Sequence, residues 1–253
     1  MIEARIKKLR GQFKKLKIDG YVIPKNDEFF SEYSKIDRLK IISNFSGSAG
    51  YAIILKQKNY LFVDGRYTLQ AKIEAGKLFH ITKFEKIFNC KLFNNLTLGI
   101  DPKLFTSQQI NRFFKKKTFI KEIKHNLVDS IYNKYSLSQT KPFFSLDTKI
   151  VGENHIKKIK KICLFLKNNK MDYLFISAPE NVAWLLNIRG FDNPYSPIPN
   201  CRLLINKNGK FVLISNLIKL RKLIKEKKLK KKNIVELNNF EVFISRLRIK
   251  KLL

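Results

Sequence analysis

The tetrapeptide DGRY at residues 64–67 places an acid, a glycine, an arginine and a tyrosine directly after an apolar, strand-like run. Side chains at that point of an α/β fold commonly face a ligand. The planar guanidinium of Arg66 could hold a carboxylate or carbonyl of a ligand, or it could pair with a neighbouring carboxylate, which spacing alone favours. Asp64 is expected to cap the following helix rather than to act as an acid or base.

A second segment, FSGSAG at 45–50, has the composition of a loop that could cradle an anion, because small side chains let backbone N–H groups approach it. It lacks the spacing of the GxxxxGK[ST] and GxGxxG motifs, and it precedes a strand-like run instead of opening a helix. We therefore expect a tight turn in which Gly47 and Gly50 supply backbone freedom.

The histidines and cysteines are scattered along the chain and predict neither a metal site nor a disulfide. They form no HExxH motif, no CxxC pair and no histidine pair at helical spacing. We expect the cysteines to be reduced residues of the core. The residues concerned are His80, His125, His155, Cys90, Cys163 and Cys201.

The charge is strongly basic, with 52 lysines and arginines against 20 acidic residues and a net charge of +32, which raises the question of nucleic-acid binding. Ten of the 52 are arginines, which leaves 42 lysines spread over every segment. Because base readers depend on arginine for bidentate contacts, we favour compositional drift over a specific nucleic-acid function.

The bulk composition indicates a folded protein. Hydrophobic residues make up 44% of the 253 residues, enough for one large or two medium cores, and we expect two domains. The apolar runs are too short to cross a bilayer, and the first 15 residues lack the apolar stretch of a signal peptide. We therefore expect a cytoplasmic protein with no membrane partner.

The first half alternates helices and strands. Apolar residues at helical spacing run from Ile2 to Leu16, and Gly20 is placed to end that helix. A buried strand at 21–23 follows, and the runs at 51–55 and 60–63 flank a polar turn as in a hairpin. The further elements predicted are a helix at 66–75, a strand at 96–100, a helix at 108–117 and a strand at 119–123.

The second half repeats this order about 150 residues later. The matching segments are DGYVI (19–23) with DYLFI (172–176), ISNFSG (42–47) with LLNIRG (185–190), and the hairpin at 52–63 with 202–214. Three matches in one order predict two copies of one α/β fold, joined by a polar linker at 136–144, although any two α/β units look alike at this level. Trp184, among apolar neighbours, is expected in the second core.

The string at 31–71 resembles the first domain of the three-domain aminopeptidase P enzymes, whose pattern is SEY, an arginine before a helix, FxGSAG and TDGRYxxQA. The segment ENVAWLLNIRGFDNPYSPIP at 180–199 is similar to that family's AWLLNLRGxDxPYNP. Val63 and Ser196 depart from the pattern, where the family often has threonine and asparagine. The matching residues include Ser31, Glu32, Tyr33, Arg38, Phe45, Gly47, Ser48, Asp64, Arg66, Tyr67, Gln70, Trp184, Asn187, Arg189, Gly190, Asp192 and Tyr195.

The resemblance implies two tandem creatinase amino-terminal-type domains at 1–138 and 145–253, each a ribonuclease H-like mixed sheet flanked by helices. The second would be incomplete, and the pita-bread catalytic domain, which binds two manganese ions in this family, would be absent. The implied function is the substrate-shaping region of a Xaa-Pro aminopeptidase, inactive alone, with Arg66 contacting a peptide that has proline at its second position.

Two alternative functions stay open at this point. The chain could be a stand-alone α/β binding module that kept the fold, or a basic nucleic-acid-associated protein, although specific nucleic-acid binding is not expected. The sequence does not fix the oligomeric state, and a homodimer is one of the states left open.

Overall fold

The computed structural model describes residues 1–89, 91–114, 117–132 and 141–247. The chain divides into two compact units, Met1–Ser136 and Leu137–Leu253. Most of the predicted linker falls at 133–140, which lies outside the described residues.

The first unit contains six strands and six α-helices within its described ranges, joined by short 3-10 turns. In chain order they are α1 (Ile2–Arg10), α2 (Phe13–Leu16), β1 (Gly20–Pro24), α3 (Arg38–Ser43), β2 (Gly50–Leu55), β3 (Asn59–Val63), α4 (Thr68–Ala75), β4 (His80–Lys83), β5 (Thr97–Ile100), α5 (Ser107–Phe113), β6 (Phe119–Glu122) and α6 (Leu127–Ile131).

The six strands form one mixed sheet in the order β4-β3-β2-β1-β5-β6. Strand β2 is antiparallel to both neighbours, while β3 with β4, β1 with β5, and β5 with β6 are parallel. The start of β2 therefore lies at the same edge of the sheet as the carboxyl ends of the other strands. Loops at this edge of an α/β sheet are the usual place for ligands.

Both faces of this sheet are covered, which explains the continuous apolar runs of its central strands. Tyr21 and Ile23 of β1 face a core that also holds helices α1, α3, α4 and α6, whereas Val22 between them faces a second core. The helix predicted from the apolar stripe is interrupted after Arg10, and its second part ends at Lys17, which adopts a left-handed φ of 50°. Gly20 instead begins β1, so its predicted capping role is wrong.

Within residues 141–247, the second unit has four main strands and a short two-stranded ribbon. In chain order its elements are β7 (Phe144–Ser145), α7 (Thr148–Val151), α8 (His155–Asn168), β8 (Tyr173–Ile176), α9 (Pro179–Leu186), β9 (Ile188–Arg189), β10 (Arg202–Asn206), β11 (Phe211–Ile214), α10 (Leu217–Lys225), β12 (Ile234–Val235) and α11 (Phe240–Ser245).

The predicted repeat is confirmed by strand topology. The sheet order β12-β11-β10-β8 reproduces β4-β3-β2-β1, with two antiparallel pairings followed by one parallel pairing in each case. Both units are mixed α/β structures, as predicted. In the first unit β5 and β6 extend the sheet beyond β1, whereas no strand among residues 141–247 pairs with the other side of β8.

Trp184 corrects one prediction about the second core. Helix α9 buries Val182, Ala183 and Leu185, which leaves the side chain of Trp184 on the outer face and 56% exposed. Cys163 and Cys201 are free thiols, the second of them buried, while Cys90 lies outside the described residues. Within the described ranges, none of the helices is both long and apolar enough to cross a bilayer.

Candidate functional site

The two motifs singled out in the sequence meet at the carboxyl edge of the first sheet. FSGSAG leads into β2, and DGRY leaves β3, which pairs with β2. A cleft of about 340 Å³ opens beside them. Its lining residues are Lys25, Asn26, Glu32, Ser48, Ala49, Gly50, Tyr51, Asp64, Phe84 and Glu85.

The FSGSAG loop is shaped by close approach rather than by left-handed glycine conformations. Phe45 is fully buried, and a Cβ added to Gly47 would lie 2.2 Å from its ring. A Cβ on Gly50 would lie 3.0 Å from the carbonyl oxygen of Phe62. Neither glycine has a positive φ, so the expectation that they supply backbone freedom is wrong. Their missing side chains make room for the ring and for β3.

Asp64 organises the DGRY turn in two ways. Its Oδ1 accepts the backbone N–H of Arg66 at 3.0 Å, which confirms its predicted role as a cap. The same carboxylate accepts the guanidinium of Arg66, with Nε to Oδ1 at 2.9 Å and Nη2 to Oδ2 at 3.4 Å. The side chain of Arg66 remains 75% exposed.

This ion pair keeps both groups charged. Hydrogen bonds from Arg66 hold the pKa of Asp64 below its usual range, and the hydrogen bond to Asp64 raises the pKa of Arg66. The pairing uses one side of the guanidinium fork. A carbonyl or carboxylate could therefore approach from the solvent side without displacing Asp64.

Tyr67 links the two motifs, a contact that the sequence did not predict. Its hydroxyl lies 3.0 Å from the Oγ of Ser48, and its ring meets the ring of Phe45 edge to face at 5.9 Å. The Cζ of Arg66 lies 5.6 Å from the centre of the Tyr67 ring. Ser48 also interacts with a second tyrosine, Tyr33. The hydrogen bond to Glu32 raises the pKa of Tyr33, and the hydrogen bond to Ser48 acts in the opposite direction. Both motifs were visible in the sequence, but their spacing does not reveal that Ser48 and Tyr67 touch.

Residues 5–124 match the family model described as Creatinase/Prolidase N-terminal domain, and residues 135–251 match a second model with the same description. The chain belongs to this family. The two matches fall on the two repeats.

Relatives within the creatinase/prolidase family are Xaa-Pro aminopeptidases. The chain is 33% identical over 209 residues to "Probable Xaa-Pro aminopeptidase P" of Laccaria bicolor, which covers 77% of this chain and 33% of the relative. It is 31% identical over 219 residues to "Xaa-Pro aminopeptidase 1" of Dictyostelium discoideum, covering 78% and 35%. The chain thus spans about a third of the length of the curated relatives it matches.

A solved structure gives the same family result. The X-prolyl aminopeptidase from Caenorhabditis elegans, described as a cytosolic enzyme with a di-nuclear active site, matches with a TM-score of 0.84 and 25% identity. The match covers 97% of this chain and 44% of that one. The chain therefore corresponds to the amino-terminal region of such an enzyme, and a stand-alone binding module or a nucleic-acid-associated protein is not favoured.

Two polar residues of the second family signature, Arg189 and Asp192, make hydrogen bonds within the second unit. Arg189 donates through Nη1 to the carbonyl oxygens of Ala183 and Ile188, which holds the end of α9. Asp192 accepts from the Nζ of Lys219 at 2.6 Å. These contacts fix the proline-rich loop that follows β9.

A buried lysine packs against the exposed tryptophan of the same signature. The Nζ of Lys158 lies 4.3 Å from the centre of the Trp184 ring and donates to the Trp184 carbonyl oxygen and to the Oδ1 of Asn187. Because both acceptors lie at the carboxyl end of α9, Lys158 neutralises the negative end of that helix.

The described residues do not fit the di-nuclear metal centre of the related enzyme. No three histidine, cysteine, aspartate or glutamate side chains come together as possible metal ligands in the described part of the chain.

Proposed function

We propose that this chain is the amino-terminal, substrate-shaping region of a Xaa-Pro aminopeptidase, an enzyme that removes the residue preceding proline. The observation that supports this most is the continuous similarity of both units to Xaa-Pro aminopeptidases. The finer elements of the proposal are a peptide substrate with proline at its second position, two manganese ions held by a catalytic domain outside the described residues, and a cytoplasmic location.

Within this region, Arg66 is the residue proposed to bind the peptide. Its guanidinium is exposed and is bonded along one edge to Asp64, which lines a cleft at the carboxyl edge of the sheet. A guanidinium that stays charged at any working pH can hold a peptide carbonyl or terminal carboxylate through parallel hydrogen bonds. Such a contact orients the peptide without transferring a proton.

A nuclear magnetic resonance titration of the 253-residue chain tests the binding role directly. An Xaa-Pro tripeptide at millimolar concentration should shift the side-chain Nε–Hε resonance of Arg66 and the backbone amides of 65–67. The Arg66→Ala variant should weaken binding, so that the amide shifts at the same peptide concentration are much smaller. Arg221→Ala, which removes an exposed arginine of the second unit, is the matched control and should leave them unchanged.

A chimera tests the assignment to a Xaa-Pro aminopeptidase. Residues 1–253 would replace the matching part of the Caenorhabditis elegans enzyme. We expect a folded chimera that cleaves Xaa-Pro but not Xaa-Ala peptides and loses activity when the metal is chelated. A folded chimera that cleaves neither peptide, or both alike, would count against the proposal.

Light scattering of the chain alone decides whether it forms a homodimer.

A further inference from the structure

The contacts of Tyr67 connect the exposed Arg66 to the rigid interior of the first unit. The guanidinium of Arg66 lies over the ring of Tyr67, with 5.6 Å between Cζ and the ring centre. The same ring packs edge to face with Phe45, which is fully buried. The hydroxyl of Tyr67 is bonded to Ser48. The ring is thus held at three points: by Arg66, by Phe45 and by Ser48.

The support beneath Tyr67 is itself fixed. Phe45 occupies the space that a side chain at Gly47 would need, and Ser48 follows in the same loop. Movement of the Tyr67 ring would therefore require displacement of a buried aromatic ring or loss of the Ser48 hydrogen bond. Asp64 also holds the guanidinium, but this contact lies within the DGRY turn itself.

An exposed arginine loses rotamer freedom when it binds a ligand, and the loss weakens binding. A ring that already restricts the side chain reduces this loss, and the cation–π contact orients the guanidinium plane. Asp64 holds Nε and Nη2 along one edge of the guanidinium, whereas the ring of Tyr67 lies against Cζ.

We propose that Tyr67, held by Ser48 and Phe45, is a positioning residue that fixes the guanidinium of Arg66 for peptide binding. The inference rests on the proposed role of Arg66 and extends it to the FSGSAG loop. In this view FSGSAG acts as the support of the binding arginine, rather than as an anion-binding loop.

A purely structural role for Tyr67 makes a different prediction. It would lower stability when the ring is removed but would leave peptide affinity per folded molecule unchanged. A positioning role changes affinity, and it does so only while Arg66 is present. The two roles therefore separate in a double-mutant cycle between positions 66 and 67.

The experiment measures the Kd of the Xaa-Pro tripeptide from backbone amide shifts of the 253-residue chain. Tyr67→Leu should weaken binding about three- to tenfold, the effect expected when one side chain is no longer pre-ordered. Tyr67→Phe and Ser48→Ala, which keep the ring, should weaken it less. In the Arg66→Ala background, Tyr67→Leu should cause no further change.

Tyr60→Leu is the matched control, because Tyr60 is a buried tyrosine of the opposite core. It should lower the thermal midpoint without changing Kd. An unchanged Kd in folded Tyr67→Leu protein, with binding weakened in Arg66→Ala, would overturn the positioning role and leave the function of Arg66 intact. Unchanged binding in Arg66→Ala would instead overturn the proposed role of Arg66, while the chimera tests the assignment to a Xaa-Pro aminopeptidase separately.

Discussion

Arg38 and Asp129, 91 residues apart, are joined by two parallel hydrogen bonds of 2.8 Å, from Nε to Oδ1 and from Nη2 to Oδ2. Arg38 begins helix α3 and is only 8% exposed, while Asp129 lies on helix α6. This pair therefore ties two helices of the first unit through a buried guanidinium and a carboxylate that is 34% exposed. It explains why the arginine before the helix in the family pattern need not contact a ligand.

Removal of either charged side chain of this pair should lower the stability of the first unit. We expect Arg38→Met to lower the free energy of unfolding by about 2–3 kcal/mol, because it leaves the Asp129 carboxylate partly buried without its fork partner. Arg38→Lys should recover only part of this, since an ammonium cannot donate two parallel hydrogen bonds. Urea unfolding followed by circular dichroism measures both variants.

The double variant Arg38→Met with Asp129→Leu is the control. Because no charge is then left unpaired, it should be more stable than Arg38→Met alone. Equal stability of the single and double variants would show that the ion pair does not couple α3 to α6.

Local patterns were sufficient to predict much of the fold. The hairpin of β2 and β3, the turn at Asp64 and the duplicated strand order depend on residues close in sequence, and all three are present. The apolar stripe of the first helix was also visible. Its end at Lys17 was not, because a left-handed lysine gives no compositional signal comparable to glycine.

Contacts between distant side chains could not be predicted. The partners Ser48 and Tyr67, or Arg38 and Asp129, are chosen by how strands and helices pack, and no spacing rule relates them. The prediction that Trp184 lies in the second core was wrong for a related reason. Apolar neighbours on both sides of a helical residue do not show which face is turned to solvent, and here the Trp184 residue is 56% exposed while the buried Lys158 packs against its ring.

Gly47 should tolerate no side chain, because the ring of Phe45 fills the space beside it. Gly47→Ala should destabilise the protein by about 1–3 kcal/mol, because the new methyl group would collide with the buried ring of Phe45. Gly65→Ala is the matched control, since a Cβ there would meet nothing within 4 Å. It should change stability by less than about 0.5 kcal/mol. Equal effects of the two changes in thermal unfolding would show that close packing at Phe45 does not require Gly47.

Asp27 should make stability depend on pH. Burial raises its pKa above the usual range, and its Oδ1 accepts the backbone N–H groups of Phe29 and Ser31. A raised pKa means that the folded state binds this proton more tightly than the unfolded state. The contribution of Asp27 to stability therefore decreases as pH rises from the ordinary aspartate range through the raised value.

Asp27→Asn keeps an oxygen for the same two N–H groups and removes the charge. We expect it to raise the thermal midpoint at pH 7, with a gain that shrinks toward pH 3. Asp19→Asn is the control of opposite sign, since the hydrogen bond from Lys56 lowers the pKa of Asp19. It should lower the midpoint at pH 7 and have less effect in acid. A loss of stability in Asp27→Asn that is constant with pH would contradict the assigned burial effect.

The last prediction concerns Arg66 in the chimera with the catalytic part of a relative. Arg66→Ala should raise KM about ten- to a hundredfold and change kcat much less, because a charge-assisted contact that positions the peptide contributes to binding without entering proton transfer. Arg66→Lys should recover part of the loss. Thermal unfolding of each variant separates this binding role from a structural one. Because the exposed ion pair of Arg66 with Asp64 contributes little to stability, the thermal midpoint should change little in Arg66→Ala. An unaltered KM in Arg66→Ala, with or without a lower thermal midpoint, would assign Arg66 to the DGRY turn alone.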